Sequence, residues 1–273
     1  MVMSVRDAMA LDQPAADRRV AYGEGALQFA DLRLPNGEGP FPVVVIVHGG
    51  CWLAEYDLGY MSGLAEALTE LGFATWSIEY RRVGDEGGGW PGTFLDVAAG
   101  ADHLRLLADE EKLDLKRVVV LGHSAGGHLA LWLAGRRSLM PGDELRGQEP
   151  LDMRGVVALA GIPDLAAYAS PDGCGAAVEP LLGGDPQLMG DRLLRTSPVH
   201  MLPLGVRQSL LVGRHDPIVP VVHAERYVDQ ATSAGDEVAL QIIDGVGHFE
   251  LIDSRHGAFQ EVATAVRRLS ETR

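Results

Sequence analysis

Five residues, Gly122-His123-Ser124-Ala125-Gly126, carry the first chemical signal in this chain. The four apolar residues Val118 to Leu121 run into them, and a helix-like run from Gly127 follows. Strand, sharp turn and helix in that order are what a G-x-S-x-G nucleophile elbow requires. The chemistry would be attack by the Ser124 hydroxyl. Side chains at 122 or 126 would collide across the turn, so both positions need glycine. The helix after Ser124 would aim its positive end at the site and favour negative charge there.

A serine hydroxyl is a weak nucleophile at neutral pH and needs a base beside it. His248, after the apolar run Val238 to Ile243, is the candidate base; His215, His223 and His256 compete with it. Asp216, at the end of the run Gln208 to Val212, is the candidate acid that would hold the imidazole in one tautomer, with Asp164 as its rival. Asp216-Pro217 also reads as a helix start. His48-Gly49-Gly50-Cys51-Trp52 closes a fourth apolar run, Val43 to Val47.

The β-branched run Val43 to Val47 suits a strand buried on both faces of a parallel sheet. Further strands are expected at 73–78, 116–121, 156–160, 208–212 and 238–243. Helices are expected at 60–71, 93–108, 127–136 and 219–234, with a last one between 249 and 269. Such alternation predicts an α/β fold: a mostly parallel central sheet with helices on both faces, in a single domain over 1–273. Residues 164–204 interrupt the rhythm and read as a small helical cap or lid. Residues 1–18 read as an irregular arm with a short helix. In open α/β sheets, reactive groups collect beyond the carboxyl ends of strands, where His48, Ser124, Asp216 and His248 all fall.

Those motifs, in the chain order Ser, Asp, His, resemble the α/β-hydrolase superfamily over about residues 20–270. Within it they resemble esterases and lipases with an H-G-G-G-W type loop, including feruloyl or acetyl esterase-like, hormone-sensitive-lipase-like and kynurenine formamidase-like enzymes. The resemblance implies a serine carboxylic-ester hydrolase working through an acyl-enzyme on small-acyl or aryl esters. It implies an oxyanion hole from the amides of Gly50, Cys51 and Ala125, although Cys51 stands where a third glycine is common. Trp52, Trp90 and His123 are expected at the substrate, and His48 is expected to shape the loop. An arylformamidase acting on N-formyl-kynurenine is the alternative reaction. A silent hydrolase fold that only binds is the alternative of another class.

Bulk properties bound these readings. The 273 residues are 47% hydrophobic and 22% charged, enough apolar material for a full core. Net charge is −15, which opposes binding to nucleic acid or anionic membrane surfaces. No run approaches the roughly 18 apolar residues of a membrane span. Neither a metal-ligand cluster nor a dinucleotide or phosphate loop is visible, so no metal and no cofactor are expected. The expected partner is a small-molecule ester or formamide; a homodimer stays open. The two cysteines, Cys51 and Cys174, are expected as free thiols in a cytoplasmic protein.

Overall fold

The computed structural model describes residues 2–184 and 190–271. Helix α1 (Val5–Met9) opens the chain, followed by strands β1 (Arg18–Ala21), β2 (Phe29–Arg33) and β3 (Phe41–Val47). Then come α2 (Ser62–Glu70), β4 (Ala74–Ile78), α3 (Gly92–Leu107), β5 (Leu113–His123) and α4 (Ala125–Gly135). Strand β6 (Gly155–Leu159) leads into three short helices, α5 (Leu165–Tyr168), α6 (Val178–Leu182) and α7 (Gly190–Thr196). The chain finishes with β7 (Arg207–Gly213), α8 (Val221–Ser233), β8 (Val238–Ile243) and α9 (Ala258–Ser270). Residues 185–189 of the expected 164–204 insertion lie outside the described residues.

The eight strands form one sheet in the order β1-β2-β4-β3-β5-β6-β7-β8. β1 and β2 join antiparallel at one edge, and every pair from β4 to β8 is parallel. Alternation of side chains along each strand sorts the core into two layers. Val43, Val45 and Val47 of β3, with Val118 and Val120 of β5, meet α3, α4 and α8 on one face. Val44, Ile46, Val119 and Leu121 meet α2 and α9 on the other. This is why the run at 43–47 is apolar at every position rather than at every second one. Each fully buried Val or Leu contributes roughly 1.5–3 kcal/mol. Helix α4 is buried along its whole length. Its small residues face the sheet at close range: a side chain on Gly127 would strike Gly161.

Short helices α5 to α7 belong to the expected insertion, and Leu165, Leu181 and Leu182 anchor them to the α4 side of the core. The helix in the arm is capped as its sequence allows, with Ser4 and Asp7 exchanging side-chain and backbone hydrogen bonds.

One expectation is corrected at this level. Cys51 and Cys174 are joined as a disulfide, with Cα atoms 5.0 Å apart, so neither is a free thiol. The two are 123 residues apart, and the spacing alone carries no sign of their meeting. The bridge ties the loop after β3 to the insertion. Among the described residues, no helix is long and apolar enough to cross a membrane.

Candidate active site

β5 delivers Ser124 at its end, and α4 starts with the next residue. Ser124 has φ 56 and ψ −120, a conformation rare for any residue with a side chain. The turn closes because the flanking positions carry no Cβ. One on Gly122 would strike the carbonyl of Gly126, and one on Gly126 would strike the carbonyl of Val47. The Ser124 amide is bonded to the carbonyl of Leu159 in β6 at 2.8 Å, which fixes the elbow to the sheet.

Asp216 lies just beyond β7 and His248 beyond β8. Nδ1–H of His248 donates to Oδ2 of Asp216 at 2.6 Å. The other oxygen of Asp216 accepts the amides of Ile218 and Val219 at 2.7 and 2.9 Å. With Nδ1 engaged, Nε2 is the ring nitrogen left for a reacting proton. His248 and Ser124 line one cavity of about 680 Å³. The rival acid Asp164 is instead spent on capping α5, accepting the amide of Ala167 at 3.0 Å. Of the other histidines, His223 lines the same cavity but from α8, in edge contact with Tyr168, and His256 accepts the amide of Ala258 in the turn before α9.

The loop after β3 supplies a second set of groups. Gly50, Cys51 and Trp52 have φ values of 94, 53 and 58, three left-handed residues in succession. Both Gly50 and Cys51 line the cavity. Ala125 is the first residue of α4, so its amide has no acceptor within the helix. A side chain on Gly50 would strike Tyr56. The glycine is therefore required twice, for its φ and for room.

Several contacts hold this loop. Val83 donates to the carbonyl of Trp52 at 2.8 Å, and Ala54 to that of Val83 at 3.0 Å. His48 is buried, stacks on Tyr80 at 4.3 Å, and its Nε2 lies 2.9 Å from Oε1 of Glu79. Glu79 also accepts the amides of Tyr80 and Leu58. Burial pushes the Glu79 carboxyl up, but His48, Arg82 and the Tyr80 amide outweigh it and hold it below its usual value. His48 and Glu79 are thus bonded to each other beneath the loop, and Glu79 ties that pair to the amide of Leu58.

Three residues expected at the substrate fare differently. Trp52 is fully buried beneath the loop and donates from Nε1 to Nδ1 of His128 at 3.1 Å. Trp90 packs against Phe94 and beneath the guanidinium groups of Arg192 and Arg195. Neither lines the cavity, so their assignment to substrate is corrected. Both rings bury apolar area against the core, and a tryptophan's type does not reveal which side it serves. His123 does reach the cavity, but both its ring nitrogens are bonded to protein.

Other walls come from segments with no chemical signal in the sequence. Val5 and Met9 of α1, Tyr56, Tyr168 and Ile218 complete the lining. The arm is held near His248 by Glu250, whose carboxylate accepts the amides of Met3 at 2.6 Å and Gly247 at 3.0 Å. The capping pair Ser4 and Asp7 was the one available hint that this arm has structure. No lysine or arginine stands among the described lining residues. Among the described residues, no group of three His, Cys, Asp or Glu is placed to hold a metal ion.

A mostly parallel sheet with a strained serine between strand and helix, and an H-G-G loop beside it, defines an α/β-hydrolase of the kind found in HGG-type esterases and lipases. Residues 30–230 match the BD-FAE family, and the chain belongs to it. It is 27% identical to Esterase LipC and 28% identical to a probable carboxylic ester hydrolase, LipM, both of Mycobacterium tuberculosis. Those alignments take in 86% and 91% of this chain but only 60% of each relative, so the chain spans about three fifths of their length. Among solved structures, a truncated carbohydrate esterase from gut microbiota superposes with a TM-score of 0.79 at 23% identity, covering 92% of this chain and 95% of that one. Esterase B from Lactobacillus rhamnosis gives 0.80 at 19% identity, covering 97% and 90%. At these identities the structural likeness speaks to the fold.

Proposed function

We propose that this chain is a serine hydrolase of neutral carboxylic esters with small acyl or aryl groups. The observation that carries the reading is the 2.6 Å contact of His248 with Asp216, which leaves Nε2 for the cavity that Ser124 shares. Ser124 attacks the ester carbonyl carbon as its proton passes to Nε2 of His248. The carbonyl electron pair moves onto oxygen, where the amides of Gly50, Cys51 and Ala125 receive it. Each such donor is worth roughly 2.7–4 kcal/mol in the transition state. Collapse breaks the bond to the alcohol, which leaves with the proton from His248. Water, deprotonated by the same ring, then releases the acid and restores Ser124. Asp216 keeps the ring in the tautomer this cycle needs.

Esters are preferred over a formamide for two reasons. The relatives LipC and LipM carry ester-hydrolase names. N-formyl-kynurenine bears a free carboxylate, and no cation stands among the described cavity residues to meet it. The Cys51–Cys174 bridge favours an oxidising compartment over the cytoplasm.

The test compares p-nitrophenyl acetate, longer p-nitrophenyl esters and N-formyl-kynurenine, each with the parent chain and Ser124→Ala. The reading expects ester turnover that disappears in the variant. A strong preference for the formamide, or turnover that survives Ser124→Ala, contradicts it.

A further inference from the structure

His123 sits in the elbow, one residue before Ser124, and has no exposed surface. Its hydrogen bonds cross the site instead of entering it. The Gly49 amide donates to the Tyr60 hydroxyl at 2.6 Å. The Tyr60 hydroxyl lies 3.1 Å from Nδ1 of His123, and Nε2 of His123 lies 3.0 Å from the carbonyl oxygen of His248. A carbonyl only accepts, so Nε2 carries the proton and Nδ1 accepts from Tyr60. Every bond then runs in one direction, from Gly49 through Tyr60 and His123 to His248. Donors and acceptors aligned in this way strengthen one another in a low-dielectric interior.

Three segments far apart in sequence meet on this chain of bonds. Gly49 precedes the proposed oxyanion donors at 50 and 51, His123 precedes the nucleophile, and His248 is the proposed base. The His123 ring also packs on the His248 ring, with centroids 4.6 Å apart and planes at 53°. A Cβ on Gly49 would meet the His123 carbonyl and the Tyr60 hydroxyl, so the oxyanion loop and the elbow approach too closely to admit any side chain there. Burial, followed by the charge His248 can carry, holds the His123 imidazole well below its ordinary value. A neutral ring offers the single donor and single acceptor that this position uses. It also adds no positive charge beside an imidazolium forming on His248.

We propose that His123, acting with Tyr60, is a positioning residue that sets the base loop and the oxyanion loop at their working separation around Ser124. This rests on the reading of Ser124 and His248 as nucleophile and base. Neither His123 nor Tyr60 exchanges a proton with substrate. Their contribution lies in alignment, where errors near 1 Å can cost about 100-fold in rate.

The experiment uses the full chain with Tyr60→Phe, His123→Phe, His123→Gln and the double variant Tyr60→Phe/His123→Phe. The readouts are kcat and KM on p-nitrophenyl acetate, the rate at which a fluorophosphonate labels Ser124, and thermal melting. Tyr60→Phe and His123→Phe are expected to lower kcat and the labelling rate by roughly 10- to 100-fold, with KM within about threefold. Because the two share one chain of bonds, the double variant should be no worse than about threefold below the poorer single variant. His123→Gln keeps one donor and one acceptor and should recover much of the loss. Should His123→Phe not fold, Tyr60→Phe and His123→Gln decide the matter. Unchanged kcat in folded Tyr60→Phe, multiplying losses in the double variant, or a fall in melting temperature alone overturns the proposal. A parent chain that neither turns over the ester nor takes the label indicts the catalytic reading itself, before any variant is compared.

Discussion

Asp216 holds His248 with one carboxylate oxygen, at 2.6 Å, and the amides of Ile218 and Val219 with the other. The acid is therefore fixed to its own loop before it orients the ring. Asp216→Asn preserves the shape and the acceptor for those amides, but its NH2 group can face Nδ1. The ring would then turn its proton toward Ser124 and lose the lone pair needed there. We expect kcat to fall on the order of 1,000- to 10,000-fold with little change in fold, by analogy with the same substitution in serine proteases. Steady-state kinetics on p-nitrophenyl acetate with a circular-dichroism melt check this; a loss under tenfold contradicts it.

The Cys51–Cys174 bridge closes a loop of 123 residues and joins the proposed oxyanion loop to the cavity wall. Cys174→Ser retains the Cys51 amide and cuts the tether. A stability loss of about 2–5 kcal/mol is expected, the chain-entropy effect of so long a loop setting the upper end. Denaturation with and without dithiothreitol reads it: the reductant should weaken the parent chain and leave the variant unchanged.

Gly126→Ala tests the elbow. The added methyl would strike the carbonyl of Val47, which belongs to the central strand β3 and has no room to retreat. Overpacking of this kind costs roughly 1–3 kcal/mol. Urea unfolding should show at least that loss, together with slower labelling of Ser124. Parent-like stability and labelling would contradict the geometry of the turn.

His128 provides a pH test of stability. It is buried, accepts from Trp52 and donates from Nε2 to the carbonyl of Thr196 at 2.9 Å. Burial lowers its pKa to about 4. Unfolding frees the ring to bind a proton below about 6.5, so the unfolded state gains protons between pH 6.5 and 4. Stability from this group is therefore full above pH 6.5 and lost as pH falls toward 4, by about 3 kcal/mol in all. His123, lowered in the same direction, adds to that slope. Glu79, held below its usual value, adds a loss at more acidic pH, as pH falls through its folded-state pKa. His128→Gln should flatten the slope between pH 6.5 and 4, as followed by urea midpoints across that range.

The sheet was legible in the sequence because two-sided burial demands apolar residues at every position, as at Val43 to Val47. The strands expected at 73–78, 156–160, 208–212 and 238–243 lie within a residue or two of β4, β6, β7 and β8. β5 begins earlier than the apolar run, at Leu113, because Phe41 and Pro42 pair with Leu113 and Asp114 across a register shift. Ser124, Asp216 and His248 stood out because each ends an apolar run. What stayed hidden depends on contacts between distant segments. Nothing near Cys51 announces Cys174, and nothing in Val5 or Met9 announces the cavity. Trp52 and Trp90 were placed at the substrate because aromatic rings suit pockets, yet the same rings suit a core. Tyr60 gave no signal, since its role lies in a hydrogen bond to His123.

Activation of Ser124 as a nucleophile by His248 is open to direct test. Intact-protein and peptide mass spectrometry after treatment with a fluorophosphonate measures it most directly. One adduct per chain is expected, on the peptide bearing Ser124, with labelling slowed at least 100-fold in His248→Ala and abolished in Ser124→Ala. An unlabelled chain, an adduct on another residue, or labelling indifferent to His248 would contradict it.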